Sequence, residues 1–274
     1  MRYFVAVAEE LHFGRAAQRL SIAQPPLSRA IQQLERRLGV VLLHRTARAI
    51  TLTKAGSVLL QEARPALEAV EAAERRTRRA ATDRAGVVLA AKAGASRELL
   101  SKLLDAYAAD PSAVAVEVML CGPGEPGGLL RNGRADVALL QPPYDTTAGF
   151  DTEDLHTEHQ VVVLPAGHPL AIRPHMSMAE VNALTDLPLP RWPRRDGSYP
   201  EGPGPKVRDH TQLTQLITLG RACALMPESL RAQLRGEHAI VPVPDAPAIT
   251  TVIAWPPHSR SQAVADLVRT AVHL

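Results

Sequence analysis

Apolar and polar residues follow two rhythms along this 274-residue chain. Up to about residue 81 the rhythm is helical. Phe13, Ala16, Ala17 and Leu20 recur at helical spacing, as do Leu27, Ile31, Leu34 and Leu38, and each set predicts a helix with one buried stripe. Ser21-Ile22-Ala23 between them is long enough only for a turn. Pro25 and Pro26 open the second helix, where a missing N–H costs little, and Gly39 closes it. Short strands are predicted at 40–43 and 50–52, around the basic turn His44-Arg45-Thr46-Ala47-Arg48-Ala49. Thr53 reads as the cap of one long helix reaching to about residue 81, with Val58, Leu59, Ala63, Ala66, Leu67, Val70 and Ala73 apolar. Pro65 is expected to bend or break it.

From Gly86 onward the rhythm becomes that of short strands alternating with helices. Strands at 87–91, 114–120 and 137–140 alternate with helices at 96–109 and around Leu129 and Leu130, which predicts a parallel sheet with right-handed crossovers. A second unit starts near His159. Its expected strands are 160–164, 187–190, the region of Val207, and 223–226, and its helices are 178–184, 211–220 and 228–234. A strand at 249–255 and a helix at 261–272 close the chain. Two α/β lobes crossed twice by the chain make a cleft.

The polar face of the second helix carries the first chemistry. Gln24, Ser28, Arg29, Gln32 and Gln33 lie near its N-terminal half, away from the apolar stripe. Arg can take guanine in two hydrogen bonds, Gln can take adenine, and Ser reaches phosphate or base. Helix, turn, Pro-started helix and basic hairpin in that order build a winged helix-turn-helix, with one helix for the major groove and a wing for the backbone. Arg45 and Arg48 are the wing's candidates for phosphate or minor groove.

These residues resemble the DNA-binding domain of LysR-type transcriptional regulators. The likeness is carried by residues 2–8, Phe13-Gly14-Arg15-Ala16-Ala17, Ala23-Gln24-Pro25-Pro26-Leu27-Ser28-Arg29, Leu34-Glu35, Arg45-Thr46 and Leu52-Thr53-Lys54-Ala55-Gly56. Many members have Ser or Thr where this chain has Ala23, so a helix cap is expected to be missing. The family pattern also begins a few residues before Arg2. The resemblance implies a DNA-binding set of Arg15, Gln24, Pro25, Pro26, Ser28, Arg29, Gln32, Arg45, Thr46 and Arg48.

Beyond residue 86 the chain resembles the effector-binding domain of the same regulators, which shares the periplasmic-binding-protein architecture. The expected fold is an α/β chain with an all-α-type N-terminal winged helix-turn-helix, a long linker helix and a two-lobed α/β effector domain. Its expected divisions are 1–58, 59–85 and 86–274, with the first lobe at 86–158 and 249–274 and the second at 159–248. By the same resemblance, the effector-binding residues are Gly94, Ser96, Gly122, Pro123, Arg191, Trp192 and Thr211. Arg191 would pair an acidic effector and Trp192 would stack on an aromatic one. Members usually carry a further helix in the span 191–205, whose Pro and Gly content here forbids one, so the second lobe is expected to be trimmed. The partners implied are double-stranded DNA, a small-molecule effector, a homodimer paired through the long helix, its assembly into a homotetramer, and RNA polymerase.

Charge fits a DNA-binding head on a different body. Residues 1–84 hold 15 Lys and Arg against 8 Asp and Glu, a net +7, and the remainder holds 16 against 20, a net −4, which sum to the overall +3. The run Arg75-Arg76-Thr77-Arg78-Arg79 reads as a solvated helix end or a DNA contact. The N-terminus runs into an amphipathic helix without a signal-peptide pattern, and no apolar run spans a bilayer, so the expected location is the cytoplasm, away from membranes. Two cysteines, Cys121 and Cys223, imply no disulfide framework and read as buried thiols.

Other chemistries find little support. Gly122-Pro123-Gly124-Glu125-Pro126-Gly127 spells a dinucleotide motif, but its prolines remove the amides that would hold a pyrophosphate. His156, Glu158 and His159 read as a solvated turn. There is no nucleophile elbow or other catalytic constellation, so the expectation is no enzyme, no metal and no cofactor. A solute-binding transport protein would share the two lobes without the winged helix. Salt-sensitive DNA binding separates a regulator both from such a protein and from an enzyme with a helical appendage.

Overall fold

The computed structural model describes residues 1–46, 49–80, 86–194, 198–234, 236–257 and 259–274. The chain forms two compact units, 1–79 with 131–133, and 80–130 with 134–274.

The first unit opens with α1 (Arg2–Glu10), α2 (Phe13–Arg19) and α3 (Gln24–Leu38). Strands β1 (Leu43–Arg45) and β2 (Ile50–Leu52) pair antiparallel, and α4 (Lys54–Ala80) follows. Most of the predicted apolar stripes form the core, whereas Leu38, expected on the buried face of α3, is exposed at the helix end. Phe4, Val7, Phe13, Ala16, Leu27, Ile31, Leu34, Leu42 and Leu43 are buried together, with Leu59 and Leu60 of α4 against them. Gly39 ends α3 in the left-handed conformation, φ 69°, that glycine adopts without strain. His12 caps α2 by accepting a hydrogen bond from the Arg15 N–H at 3.1 Å. Ala23 caps α3 with no side-chain bond.

Two further expectations for this unit change. The first strand lies at Leu43–Arg45 rather than 40–43, because Val40 and Val41 are exposed and the Glu35 carboxylate takes the Leu42 and Leu43 N–H groups. Of the bend or break expected at Pro65, the break does not occur: α4 continues past it, since a long helix tolerates the loss of one internal hydrogen bond.

The second unit holds two sheets. The first has strand order β4-β3-β5-β10-β6, from β3 (Gly86–Lys92), β4 (Ala115–Cys121), β5 (Val137–Leu140), β6 (Asp151–Glu158) and β10 (Ile249–Trp255). β3 is parallel to β4 and β5, as the β-α-β order requires, whereas β10 is antiparallel to β5 and β6. The sheet is therefore mixed. Alternate residues of β3 serve opposite faces. Val87, Leu89 and Ala91 pack under α5 (Arg97–Ala108) and α9 (Gln262–Val272), while Val88 and Ala90 pack toward α6 (Pro126–Arg131). That double burial explains why β3 reads as an unbroken apolar run.

The second sheet has the order β8-β7-β9, from β7 (Gln160–Pro165), β8 (Ala224–Pro227) and β9 (His238–Pro242), all antiparallel. Val162 and Leu164 face Met176, Val181 and Cys223, and Val161 and Val163 face Leu213 and Ile217 of α8 (His210–Thr218). α7 (Met178–Asn182) carries a full capping box between Ser177 and Glu180. The strand expected at 187–190 is not formed, and only an isolated bridge joins Arg191 to Lys206. The expected helix at 228–234 is a 3-10 helix, Glu228–Gln233. Among the described residues of 191–205 no helix forms. Gly204 passes so close to the Leu189 carbonyl that a Cβ there would lie 1.7 Å from it. The chain passes from the first sheet to the second between Glu158 and Gln160, and returns between β9 and β10.

Candidate functional site

Two surfaces carry the candidate chemistry, one in each unit. In the first, α3 turns Leu27, Ile31 and Leu34 inward, so Gln24, Pro25, Pro26, Arg29 and Gln32 are exposed and Ser28 is half-buried. Among the described residues, the side chains of Gln24, Ser28, Arg29 and Gln32 have no hydrogen-bond or ionic partner within the chain. Two other cations of the expected set, Arg15 and Arg45, are committed. Arg15 Nε donates to Glu10 Oε2 at 3.3 Å and its guanidinium also reaches the Glu10 carbonyl. Arg45 lies over the Phe13 ring, 4.8 Å from its centroid, and pairs with Glu35 at 3.4 Å. Thr46 closes the hairpin turn, its hydroxyl donating to the Ala49 carbonyl at 3.1 Å and accepting from the Ala49 N–H. Arg48 lies outside the described residues.

Glu35 is the residue that the polar-face reading passed over. Its Oε1 accepts from the Leu42 and Leu43 N–H groups at 2.9 and 3.2 Å, which ties the hairpin's first strand to α3. Thr53 fixes the other end, donating to the Val41 carbonyl at 2.8 Å and accepting from the Gly56 N–H at 2.9 Å. Gly56 runs against that hairpin, where an added Cβ would sit 2.1 Å from the Leu42 carbonyl oxygen.

In the second unit a cavity of about 190 Å³ opens between the two sheets. Lys92, Gln141, Tyr144 and Asp145 line it from the first lobe, and Trp192, His210 and Met226 from the second. Lys92 closes β3 and is nine-tenths buried, and its Nζ is 3.0 Å from Asp145 Oδ2. The same carboxylate oxygen accepts from the Gln141 N–H at 2.8 Å. The Gln141 amide donates to the Ser96 and Thr251 hydroxyls at 3.3 and 3.4 Å. The Trp192 and His210 rings meet at 5.4 Å. Burial holds the His210 imidazole below its usual pKa, helped by the Lys92 charge.

The expected effector residues divide three ways. Pro123 and Trp192 line this cavity. Gly94, Gly122, Pro123 and Thr211 line an adjoining, more open one of about 570 Å³. Ser96 lies outside both, held with φ 49° at the start of α5 while its hydroxyl meets that of Thr251 at 3.1 Å. Arg191 also lines neither, because its guanidinium donates to the carbonyls of Gly204 and Pro200. Lys92, Asp145 and His210 were not anticipated. Their one sequence signal is a lysine closing the apolar run Val-Val-Leu-Ala-Ala.

Cys121 and Cys223 donate to the carbonyls of Ala91 and Leu187, and burial pushes both thiols up to about 11. Among the described residues no cluster of His, Cys, Asp and Glu has the makings of a metal site, and no helix is long and apolar enough to cross a membrane.

Comparison with known proteins agrees with both units. Residues 1–57 match the family model of the bacterial regulatory helix-turn-helix protein, lysR family, and residues 80–273 match that of the LysR substrate binding domain. The chain is 31% identical over 293 residues to the uncharacterized regulator YnfL of Escherichia coli (strain K12), covering 100% of this chain and 96% of that protein. It is 35% identical over 190 residues to the transcriptional regulator AlsR of Bacillus subtilis (strain 168), covering 69% of this chain and 62% of AlsR. Full-length CbnR, solved in complex with its target DNA, is 25% identical with a TM-score of 0.54, covering 99% of this chain and 97% of CbnR. Both family models, a relative matched end to end and the shared fold lead to one conclusion: the chain belongs to the LysR family of DNA-binding transcriptional regulators, which are not enzymes and carry an effector-binding domain behind the helix-turn-helix.

Proposed function

We propose that α3 is the recognition helix of a regulator acting on promoter DNA in the cytoplasm, and that Gln24, Ser28, Arg29 and Gln32 read its bases or phosphates. The observation carrying this reading is the contrast on α3 between a buried apolar stripe and a polar row without intramolecular partners. A side chain with no partner in its own chain is available to a base edge. Arg15 and Arg45, already paired, serve first to hold α1, α2 and the hairpin in place, and Pro25 and Pro26 shape the start of the recognition helix.

A second copy of the chain completes the operator-binding unit. Val58 and Val70 of α4 are 54% and 58% exposed, an apolar cost that pairing with a second α4 removes. Two recognition helices then meet two half-sites, and higher assembly to a tetramer extends the same logic. The cleft lined by Lys92, Trp192 and His210 is the effector site. Binding there favours one lobe arrangement over another and so shifts the assembly's fit to DNA.

The test is fluorescence anisotropy with the DNA upstream of the protein's own gene, over a salt series, against scrambled duplex of equal length. Specific binding that survives salt releasing the scrambled duplex is expected, and Arg29→Ala should cost about 1–3 kcal/mol of that specificity. Equal loss from both duplexes, or an unaffected Arg29→Ala variant, would reject this placement of the recognition helix.

A further inference from the structure

The cleft cavity has a charge balance that selects its ligand. Its cation, Lys92, is buried against Asp145 at 3.0 Å, with Lys92 9% and Asp145 4% exposed along their side chains. The pair is neutral as a unit. On the opposite wall, burial lowers the His210 imidazole's pKa and so disfavours its charged form. The positive end of α8, the second-lobe helix nearest the cavity, is already met by its own cap, because Asp209 Oδ1 accepts from the Gln212 N–H at 2.8 Å. The Tyr144 hydroxyl is committed to Gln160 at 2.9 Å. Among the described lining residues, an entering anion would find no uncompensated positive charge and an entering cation no spare carboxylate, so either would be an unpaired buried charge.

Size and surface narrow the class further. An apolar cavity of about 150 Å³ accommodates benzene. The cavity of about 190 Å³ here takes one six-membered ring with a small substituent, between the Trp192 indole and apolar groups such as Leu213, Met226 and Ile249. The Lys92 ammonium still has N–H donors beyond the one its carboxylate takes, and these suit a neutral oxygen acceptor.

We propose that the effector of this chain is a small uncharged single-ring molecule bearing a hydrogen-bond acceptor, such as an aromatic amide, ketone or phenol, and not a carboxylate. This rests on the reading of the cleft as the effector site. It replaces the expectation that Arg191 pairs an acidic effector, since that guanidinium is held by the Pro200 and Gly204 carbonyls.

Three probes of one shape and different charge test it: benzamide, benzoate and benzamidinium, titrated calorimetrically into the full chain. Benzamide should bind at least about tenfold more tightly than either charged probe. Replacing Asp145 by Asn keeps an acceptor for the Gln141 N–H and leaves Lys92 uncompensated. In that variant the ratio of benzoate to benzamide affinity should rise about tenfold or more. Benzoate binding the unaltered chain as tightly as benzamide would overturn the neutral-ligand assignment while leaving the cleft as the site. Benzamide affinity unmoved by Trp192→Ala would instead remove the ring from the cleft and overturn the reading beneath it. Failure of all three probes to bind at millimolar concentration would overturn the single-ring class. The wild-type comparison decides the charge question even if the Asp145→Asn chain does not fold.

Discussion

Removing the Glu35 side chain should loosen the hairpin from the recognition helix. Its carboxylate is 16% exposed and accepts two backbone N–H groups, those of Leu42 and Leu43, whose residues are 1% and 2% exposed. Hydrogen bonds to a charged acceptor contribute about 1.5–3 kcal/mol each, and a buried donor left unsatisfied costs about 1–3 kcal/mol. The Arg45 contact at 3.4 Å adds at most about 1 kcal/mol, since that guanidinium is a third exposed. Glu35→Ala should therefore destabilise the local structure by about 2–5 kcal/mol. Glu35→Gln keeps an oxygen facing both N–H groups and loses mainly the charge, for about 1 kcal/mol. Hydrogen exchange read by mass spectrometry on peptides covering 39–46 reports this directly. The lower bound corresponds to exchange about 30-fold faster at those amides in Glu35→Ala. Unaltered protection in that variant, or equal effects of Ala and Gln, would refute the claim that this carboxylate secures the strand.

Further expectations follow from neighbouring geometry. Ala23→Ser should supply the missing α3 cap and raise the urea midpoint of the N-terminal unit by about 0.5–1 kcal/mol equivalent, whereas no gain would mean the turn holds the new hydroxyl away from the helix amides. Gly56→Ala gains about 1 kcal/mol of helix propensity but forces the hairpin back from a Cβ 2.1 Å from the Leu42 carbonyl, so a net loss in chemical denaturation is expected, and a net gain would contradict the packing. Both thiols, raised from 9 to about 11, should carry about 100-fold less thiolate than free cysteine at neutral pH. Their reaction with a chromogenic disulfide reagent should be correspondingly slow and accelerate as pH rises toward 11. Rapid labelling of the folded chain at neutral pH would show an environment other than the one described.

The helices of the N-terminal unit follow closely from residue spacing, because a stripe such as Leu27, Ile31 and Leu34 has few ways to be buried other than the helix it forms. Strands β6 and β9 escaped the same reading for a physical reason. β6 is an edge strand whose sequence, Asp-Thr-Glu-Asp-Leu-His-Thr-Glu, is mostly polar and takes its place from pairing with β10 rather than from apolar alternation. β9 is short and only partly buried. The cleft was harder still. Lys92 and Asp145 are far apart in sequence and meet only because β3 and the loop after β5 converge. Arg191 and Trp192 are adjacent and look equivalent on paper, yet the bridge to Lys206 turns one guanidinium onto its own loop and leaves the indole in the cavity wall.

The ladder between β6 and β10 carries a consequence for how this body could be taken apart. Glu158, the last residue before the chain leaves the first sheet, is the cross-strand partner of Ile249, the first residue on its return. Partners in an antiparallel ladder sit about 5 Å apart, a gap that a tight two-residue turn spans. Everything from His159 to Ala248 is thus an elaboration of one hairpin loop. A chain in which an Asn-Gly turn joins Glu158 to Ile249 keeps every strand of the first sheet. A foreign lobe of similar footprint could be grafted at the same two points. Ligand specificity would then be exchangeable as a cassette, with the ladder that receives it left in register.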